Sequence, residues 1–475
     1  MLPAHFNSIY GNGVLGLNLI RADNRSATAT GGPLRSVTVF CSHRICLSGQ
    51  NLRVYRLGPL FIGELTLALG LVALASTRCG FAVVASLPSL LLAILMCWVL
   101  TNTLPYLGAY GFDALRDGVI IGYGLFVYIV VGLLLQKPQR LETIVIGYGR
   151  FAWFYGLTAT ILYFCGNGLP LWSRLGMSVN FLRPGEVGVH LSGAAVFALL
   201  GMRRFSVVWL LLLLAGIVSL AGSRGAMLAC LLPIGVAAAA GGQLRRLMMI
   251  LLISGALLTL AYVAGLEIVT SSGRSIGPQQ LIDNAESIIG TSDAENLDGT
   301  KMWRLNWWRT ITGYTFDGRF FWSGKGSGIN LAEADGFVVG TEAGGPPLRS
   351  PHNGHLTIPA RYGVPGLVLW TMTITAWFGI LFASIIAARR RGHLWFANLF
   401  LWVACYGASI LIDASVDVAL EGPMLGIWFW CLVGFGTAST MIYRAAIDSM
   451  PRVSPGAGSQ FAIRPWMAPA GLERL

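Results

Sequence analysis

The chain has 475 residues, of which 55% are hydrophobic and only 11% charged, with a mean hydropathy of +0.66. Soluble domains carry about 25% charged residues, so a water-soluble globular fold is excluded. The formal charge of +12 does not point to nucleic acid, because the basic residues cluster at the ends of apolar runs, as membrane topology requires.

Residues 1–58 contain Gly11-Asn12-Gly13, Cys41, Cys46 and several arginines, but no apolar run long enough to cross a bilayer. They read as a poorly ordered leader. Apolar runs follow at Pro59–Ser76, Phe81–Leu100, Gly118–Gln136, Thr143–Gly166, Val187–Met202, Phe205–Gly222, Gly225–Ala240, Leu247–Glu267, Leu356–Ala388, Leu394–Ile412 and Pro423–Tyr443. Each approaches the roughly 20 residues a helix needs to span hydrocarbon. The expectation is an all-α, polytopic transmembrane helical bundle of about 11–12 helices, with the membrane-embedded domain over residues 59–443 and a cytoplasmic tail at 444–475.

Sidedness follows from the arginines and lysines. Lys137/Arg140, Arg203/Arg204, Arg245/Arg246 and Arg389-Arg390-Arg391 fall in short connections on one face, which the positive-inside rule makes cytoplasmic. The opposite face receives a long polar stretch, residues 268–353, with seven Lys/Arg against nine Asp/Glu. A connection this long is a binding or catalytic loop rather than a tether, and its charge balance makes it external. Eleven spans with a cytoplasmic tail put residues 1–58 outside, against Arg35, Arg44, Arg53 and Arg56. Either a lost or mis-started first helix, the favoured reading, or a miscounted span would reconcile the two.

None of the eight cysteines lies in the long loop, no metal-type cysteine spacing occurs and there is no His-Glu-x-x-His. The chemistry-bearing residues are few. Arg224 lies in Gly222-Ser223-Arg224-Gly225-Ala226, between two apolar runs. A guanidinium at a helix N-terminus flanked by small residues suits a phosphate or pyrophosphate; the alternative is snorkelling to headgroups. His352, between Pro351 and Asn353, sits in a turn leading into a helix, where an imidazole can take a proton from a hydroxyl; the alternative is a capping or interfacial histidine. Arg304 lies among Trp303, Trp307 and Trp308, either beside a lipid-borne pyrophosphate or on an amphipathic helix meeting lipid phosphates. Arg183, His355 and Arg116 are secondary candidates. Gly324-Lys325-Gly326-Ser327-Gly328 lacks the spacing of a nucleotide loop and reads as a turn. Arg116 and Asp117 read as a structural ion pair.

At these residues the chain resembles the O-antigen ligase and O-antigen (exopolysaccharide) polymerase superfamily of bacterial inner-membrane glycan transferases. The matching features, in order, are Ser223-Arg224-Gly225-Ala226, Arg304 with Trp308, Gly324 to Gly328, and His352-Asn353 with Leu356, Gly363, Gly366 and Leu367. The resemblance implies transfer of a saccharide from an undecaprenyl-pyrophosphate-linked donor to a glycan or lipid A-core acceptor. It also implies a site facing the periplasm, inversion at the anomeric carbon, and no cofactor or metal. Carried over, Arg224 and Arg304 bind the pyrophosphate and His352 serves as base. Membrane lipids are the other partner implied, and nucleic acid is not one. A lipid-linked sugar transporter or flippase is the alternative from another class. It requires ionisable residues along a mid-membrane path, for which Glu64 and Arg150 are the available material.

Overall fold

The computed structural model describes residues 56–57, 60–77, 79–165, 184–204, 206–218, 220, 223–265, 268–269, 275–276, 295–338, 348–448 and 450. Residues 1–55 and the tail beyond 450, both subjects of the expectations above, lie outside the described residues. The protein is all-α and polytopic. Two antiparallel pairs of two-residue strands, Arg56–Leu57 with Leu60–Phe61 and Ile268–Val269 with Ser275–Ile276, are the only extended pairings among the described residues.

Eleven helices correspond in order to the eleven apolar runs: α1 Ile62–Ala75, α2 Leu87–Thr103, α3 Leu125–Gln136, α4 Arg140–Cys165, α5 Pro184–Leu199, α6 Val207–Val218, α7 Arg224–Ala240, α8 Leu244–Val263, then α10 Gly354–Arg390, α11 Leu394–Ala414 and α12 Pro423–Ala446. Among the described residues of the long connection between α8 and α10, the longest helix is α9 Glu295–Thr312, followed by a π-helical turn, Gly313–Asp317, and a short helix, Leu331–Asp335. Five helical segments are long and apolar enough to cross a bilayer, namely 87–110, 119–136, 354–390, 394–414 and 423–446, while α1 and α7 are shorter apolar helices. Two boundaries differ from the hydropathy reading. The run from Phe81 opens with a 3-10 turn, Gly80–Val84, and α2 starts only after Ser86, whose hydroxyl caps the Ser89 N–H. The run from Gly118 is interrupted between a short helix, Val119–Gly122, and α3.

Helices α5, α7 and α11 pack together at the centre, α2 lies along α10, and α3 lies along α12. Small residues permit the close approach that association in lipid relies on. Gly407 of α11 lies directly under the ring of Trp377, a fully buried side chain of α10 whose indole N–H donates to the Val433 carbonyl of α12 at 3.1 Å. At the end away from the long connection, the basic side chains close off the helices. Arg389 donates to the last carbonyl of α7, at Ala240, and Arg391 donates to Ile447 and pairs with Asp448. This is the basic face, and the other end is the loop face.

The long helix α10 is broken one third of the way along. Gly363 adopts φ +70° and ψ −176°, a backbone that L side chains rarely take. Pro365, two residues on, removes an N–H and pushes away the carbonyl four residues back, that of Arg361. Freed backbone groups must find partners, and here the long connection supplies them. Lys325 N–H donates to Ala360 O at 2.7 Å, Gly326 N–H to Arg361 O at 3.1 Å, and Val364 N–H to Phe321 O at 2.7 Å. The indole of Trp98 on α2 donates to Tyr362 O at 2.9 Å. A Cβ at Gly363 would lie 2.5 Å from the carbonyl oxygens of Phe321 and Trp322. Gly363→Ala is therefore expected to cost upwards of about 2 kcal/mol through strain and steric conflict. Gly379→Ala, on the same helix where an added Cβ meets nothing within 4 Å, should be neutral or stabilising. Melting midpoints of the two variants in detergent give the comparison.

Candidate functional site

The long connection has a core of its own. Trp307 and Ile311 of α9 are buried against Leu331, Ala332 and Ala360. Trp303 packs on Trp307 at 5.3 Å, and Phe337 stacks on Trp307 at 5.4 Å. The indole of Trp307 donates to the fully buried carboxylate of Asp335 at 2.6 Å. The same carboxylate pairs with Lys325, whose ammonium lies 4.4 Å over the Tyr314 ring. Trp307 thus faces inward, with Trp303 half-buried against it, rather than lying at a bilayer interface.

The 324–328 segment is a docking turn. Its glycines have φ of +64°, +92° and +90°, and side chains at 326 and 328 would overlap the rings of Tyr106 and Tyr110. Its N–H groups are committed to Ala360, Arg361 and Asp117. Asp117 is indeed half of a structural ion pair, but its partners are not Arg116. Its Oδ2 lies 2.8 Å from Arg361 Nη1 and 3.4 Å from Arg349 Nη2, and it accepts the Gly328 N–H at 2.8 Å. Arg361 is only 2% exposed, and its Nη1 also donates to Ile329 O.

Where α10 begins, Asn353 is an N-cap whose Oδ1 accepts from His355 N at 3.0 Å and Leu356 N at 3.1 Å. His352, just before it, has φ +51° and is the one non-glycine residue with positive φ among the described residues. Trp308 of α9 fastens this turn by donating to Pro351 O at 2.9 Å. The His352 ring directs Nδ1 at Asp417 Oδ1, 3.4 Å away, with both side chains about one third exposed. A carboxylate on Nδ1 favours the tautomer protonated there, which leaves Nε2 with the lone pair a base requires.

The two arginines arrive at the same place from other elements. Ser223 caps α7 by accepting from Ala226 N at 3.3 Å, so Arg224 is the first helical residue and lies where the helix dipole is positive. Gly225 beside it packs on Val416, and a Cβ there would overlap the valine side chain. Arg304 of α9 donates from Nη1 to Val416 O at 2.8 Å. Burial holds the Arg304 guanidinium below its usual range; the Asp417 carboxylate opposes this, and the Arg224 charge adds to it. Arg304 Nε is buried with no hydrogen-bond partner among the described residues. Arg304 and His352 therefore meet at Val416-Asp417, in the connection between α11 and α12, and Arg224 comes to the same place through the contact of its neighbour Gly225 with Val416 and its charge on Arg304.

The secondary candidates lie elsewhere. His355 has both ring nitrogens engaged, Nε2 with Leu411 O at 3.0 Å and Nδ1 accepting from the Trp370 indole at 3.2 Å, so it joins α10 to α11. Arg116 is exposed on a short helix, Phe112–Asp117, within electrostatic reach of Tyr123. Arg183 lies outside the described residues. Among the described residues no three His, Cys, Asp or Glu side chains converge as metal ligands would. Sequence reasoning missed Asp417, an acid in a short connection with no motif around it. Its one signal was its place on the loop face, between two apolar runs.

This architecture defines a multi-pass membrane protein whose loop face gathers two guanidiniums, an imidazole and a carboxylate. Residues 209–371 match the family model described as O-antigen ligase, a range that holds Arg224, Arg304 and His352 and ends before Asp417. Over those residues the chain is similar to the O-antigen ligase family, in keeping with the resemblance drawn from its motifs, and glycan transfer in general is the activity of that class. A search of the curated proteins found no match.

The ion-pair network beneath the 324–328 turn makes its own prediction. Asp117→Ala leaves the buried Arg361 guanidinium uncompensated, a loss of about 3–5 kcal/mol. Asp448→Ala removes only the exposed partner of Arg391 and should leave the detergent melting midpoint unchanged.

Proposed function

We propose that the protein transfers a saccharide from an undecaprenyl-pyrophosphate-linked donor to a hydroxyl of a glycan or lipid A-core acceptor, at the periplasmic face of the bacterial inner membrane. The observation that carries this reading is the meeting of Arg224, Arg304 and His352 at Val416-Asp417. The basic face, with Arg203, Arg204, Arg245, Arg246 and Arg389 to Arg391, is cytoplasmic by the positive-inside rule, which puts the loop face in the periplasm.

In this mechanism Arg224 and Arg304 hold the donor pyrophosphate, with the unengaged Arg304 Nε–H as a ready donor. His352 takes the proton of the acceptor hydroxyl while Asp417 stabilises the imidazolium that forms. The acceptor oxygen bonds to the anomeric carbon as the carbon–oxygen bond to the pyrophosphate breaks, and that electron pair leaves on the phosphate oxygen. Attack opposite the leaving group inverts the configuration. The guanidiniums meet charge that grows on the leaving group, so their contribution is largest in the transition state. The reading needs no metal, since arginine supplies the positive charge. The carboxylates of Asp113 and Asp117, which a metal-dependent transferase would have available on this face, are paired with Arg349 and Arg361.

The test is transfer in proteoliposomes from a purified undecaprenyl-pyrophosphate glycan to defined acceptors. His352→Ala is expected to lower turnover by about 10²–10⁴-fold with the protein still inserted. Arg224→Lys and Arg304→Lys should each lose roughly tenfold or more, because a point charge does not replace a planar fork. Near-normal turnover in any of the three would remove that residue from the mechanism. Acceptor class separates the two forms of the activity: a knockout accumulating short lipid-linked repeats marks a polymerase, and one accumulating full-length unattached polymer marks a ligase.

A further inference from the structure

His352 holds a backbone conformation that a non-glycine residue adopts only when its surroundings impose it. The Asn353 cap and the Trp308 bond act on neighbouring residues, and a third contact closes the turn from below. Glu421 ends a 3-10 turn, Ala419–Glu421, in the same α11–α12 connection that carries Val416 and Asp417. It is half-buried, with its carboxyl facing inward. Oε1 accepts from the Thr357 hydroxyl at 2.7 Å, and the Ser350 side chain is close enough to the carboxyl to lower its pKa. Thr357 Oγ1 lies 3.0 Å from Asn353 O as well. Ser350 precedes His352 by two residues and Thr357 follows it by five, and both are buried. One carboxyl thus holds the outgoing arm of the histidine turn through Thr357 and lies beside Ser350 on the incoming arm, four residues along the chain from the carboxylate that faces the ring.

We infer that Glu421 is a positioning residue, which fixes His352 against Asp417 by accepting the Thr357 hydroxyl hydrogen bond on the outgoing arm of the turn, beside Ser350 on the incoming arm. This rests on the catalytic reading of His352 above. The Glu421 side of the contact is a carboxyl oxygen accepting from a hydroxyl, a role an amide oxygen can fill; burial raises the Glu421 pKa, against the lowering effects of Thr357, Arg361 and Ser350. An uncharged acceptor of the same shape should therefore serve.

The experiment compares full-length Glu421→Ala, Glu421→Gln and Thr357→Val with wild type and His352→Ala in the proteoliposome transfer assay, with melting midpoints taken alongside. Glu421→Ala is expected to lower kcat by at least about 30-fold, with KM within about threefold, because misplacing a reacting group by an ångström costs that much. Glu421→Gln should keep kcat within about threefold of wild type, and Thr357→Val, which keeps the shape and loses the hydroxyl, should fall by about tenfold. A general structural defect would not be rescued selectively by glutamine, nor would it separate kcat from KM. The inference is overturned if Glu421→Ala keeps wild-type kcat, or if glutamine is as poor as alanine. Should Glu421→Ala fail to fold, Thr357→Val decides, and unchanged kcat there overturns it equally. If His352→Ala itself retains transfer, the catalytic reading fails and this inference with it. An inactive His352→Ala beside a fully active Glu421→Ala sinks the inference alone.

Discussion

Pro365 has no N–H to donate, and its ring displaces the Arg361 carbonyl, so α10 cannot run straight through this point in the membrane. Backbone groups released in hydrocarbon are costly, and the helix can break only where protein, not lipid, receives them. The 321–326 segment receives them, contributing the Phe321 carbonyl and the Lys325 and Gly326 amides. That exchange fixes the long connection to the bundle. Once Gly324, Gly326 and Gly328 are pressed against α10 and Tyr106 and Tyr110, the position of α9 follows through the Trp307, Leu331 and Ala360 core. Arg304 and Trp308, on the neighbouring face of α9, are thereby delivered to Val416 and Pro351.

Electrostatics then gives the delivered site its character. Arg304 is partly desolvated beside a second guanidinium, an arrangement that costs stability unless something negative is near. Asp417 offsets part of this, but it also faces His352. The arrangement differs from the other arginine cluster of the loop face, where Arg349 and Arg361 close on Asp117 and the Gly328 and Ile329 carbonyls. That second cluster is internally neutralised and works as a clamp. The Arg224–Arg304 pair, whose nearby carboxylate Asp417 is shared with His352, suits a multiply charged ligand arriving from the membrane surface.

Much of this was legible in the chain itself. Apolar runs near membrane length marked the eleven helices, because hydrocarbon thickness sets their size irrespective of partners. The Ser223 and Asn353 caps are local signals, since the side chain bonds an amide two or three residues on. His352 and Arg224 stood out because charge and imidazole are scarce at those depths. What could not be read were the long-range partners. Asp117 looked paired with its neighbour Arg116, but its partners lie more than 200 residues away. Asp417 and Glu421 carry no local pattern and become meaningful only when α10 brings Thr357 and His352 over them. The tryptophans of α9 fitted a bilayer interface equally well in sequence, and only the fold turned Trp307 inward.

The contrast with a transport pathway is also physical. A carrier needs ionisable groups along the midplane and an element with two arrangements of similar energy. Here Glu64 is hydrogen-bonded by Tyr123, and the chemistry lies where three separate connections meet at one end of the bundle. Each is held by a different fastening: a serine cap at Arg224, a carbonyl at Arg304, and a strained, stapled turn at His352. A site meant to release its cargo to the opposite face gains nothing from such rigidity, and a strained histidine would relax whenever the bundle rocked. Fixed charges around a fixed base are what differential stabilisation of a departing pyrophosphate requires, because the groups need no rearrangement as the charge develops. The α11–α12 connection, which contacts Arg304, His352 and the residue beside Arg224, is therefore the element that links this fold to the proposed transfer chemistry.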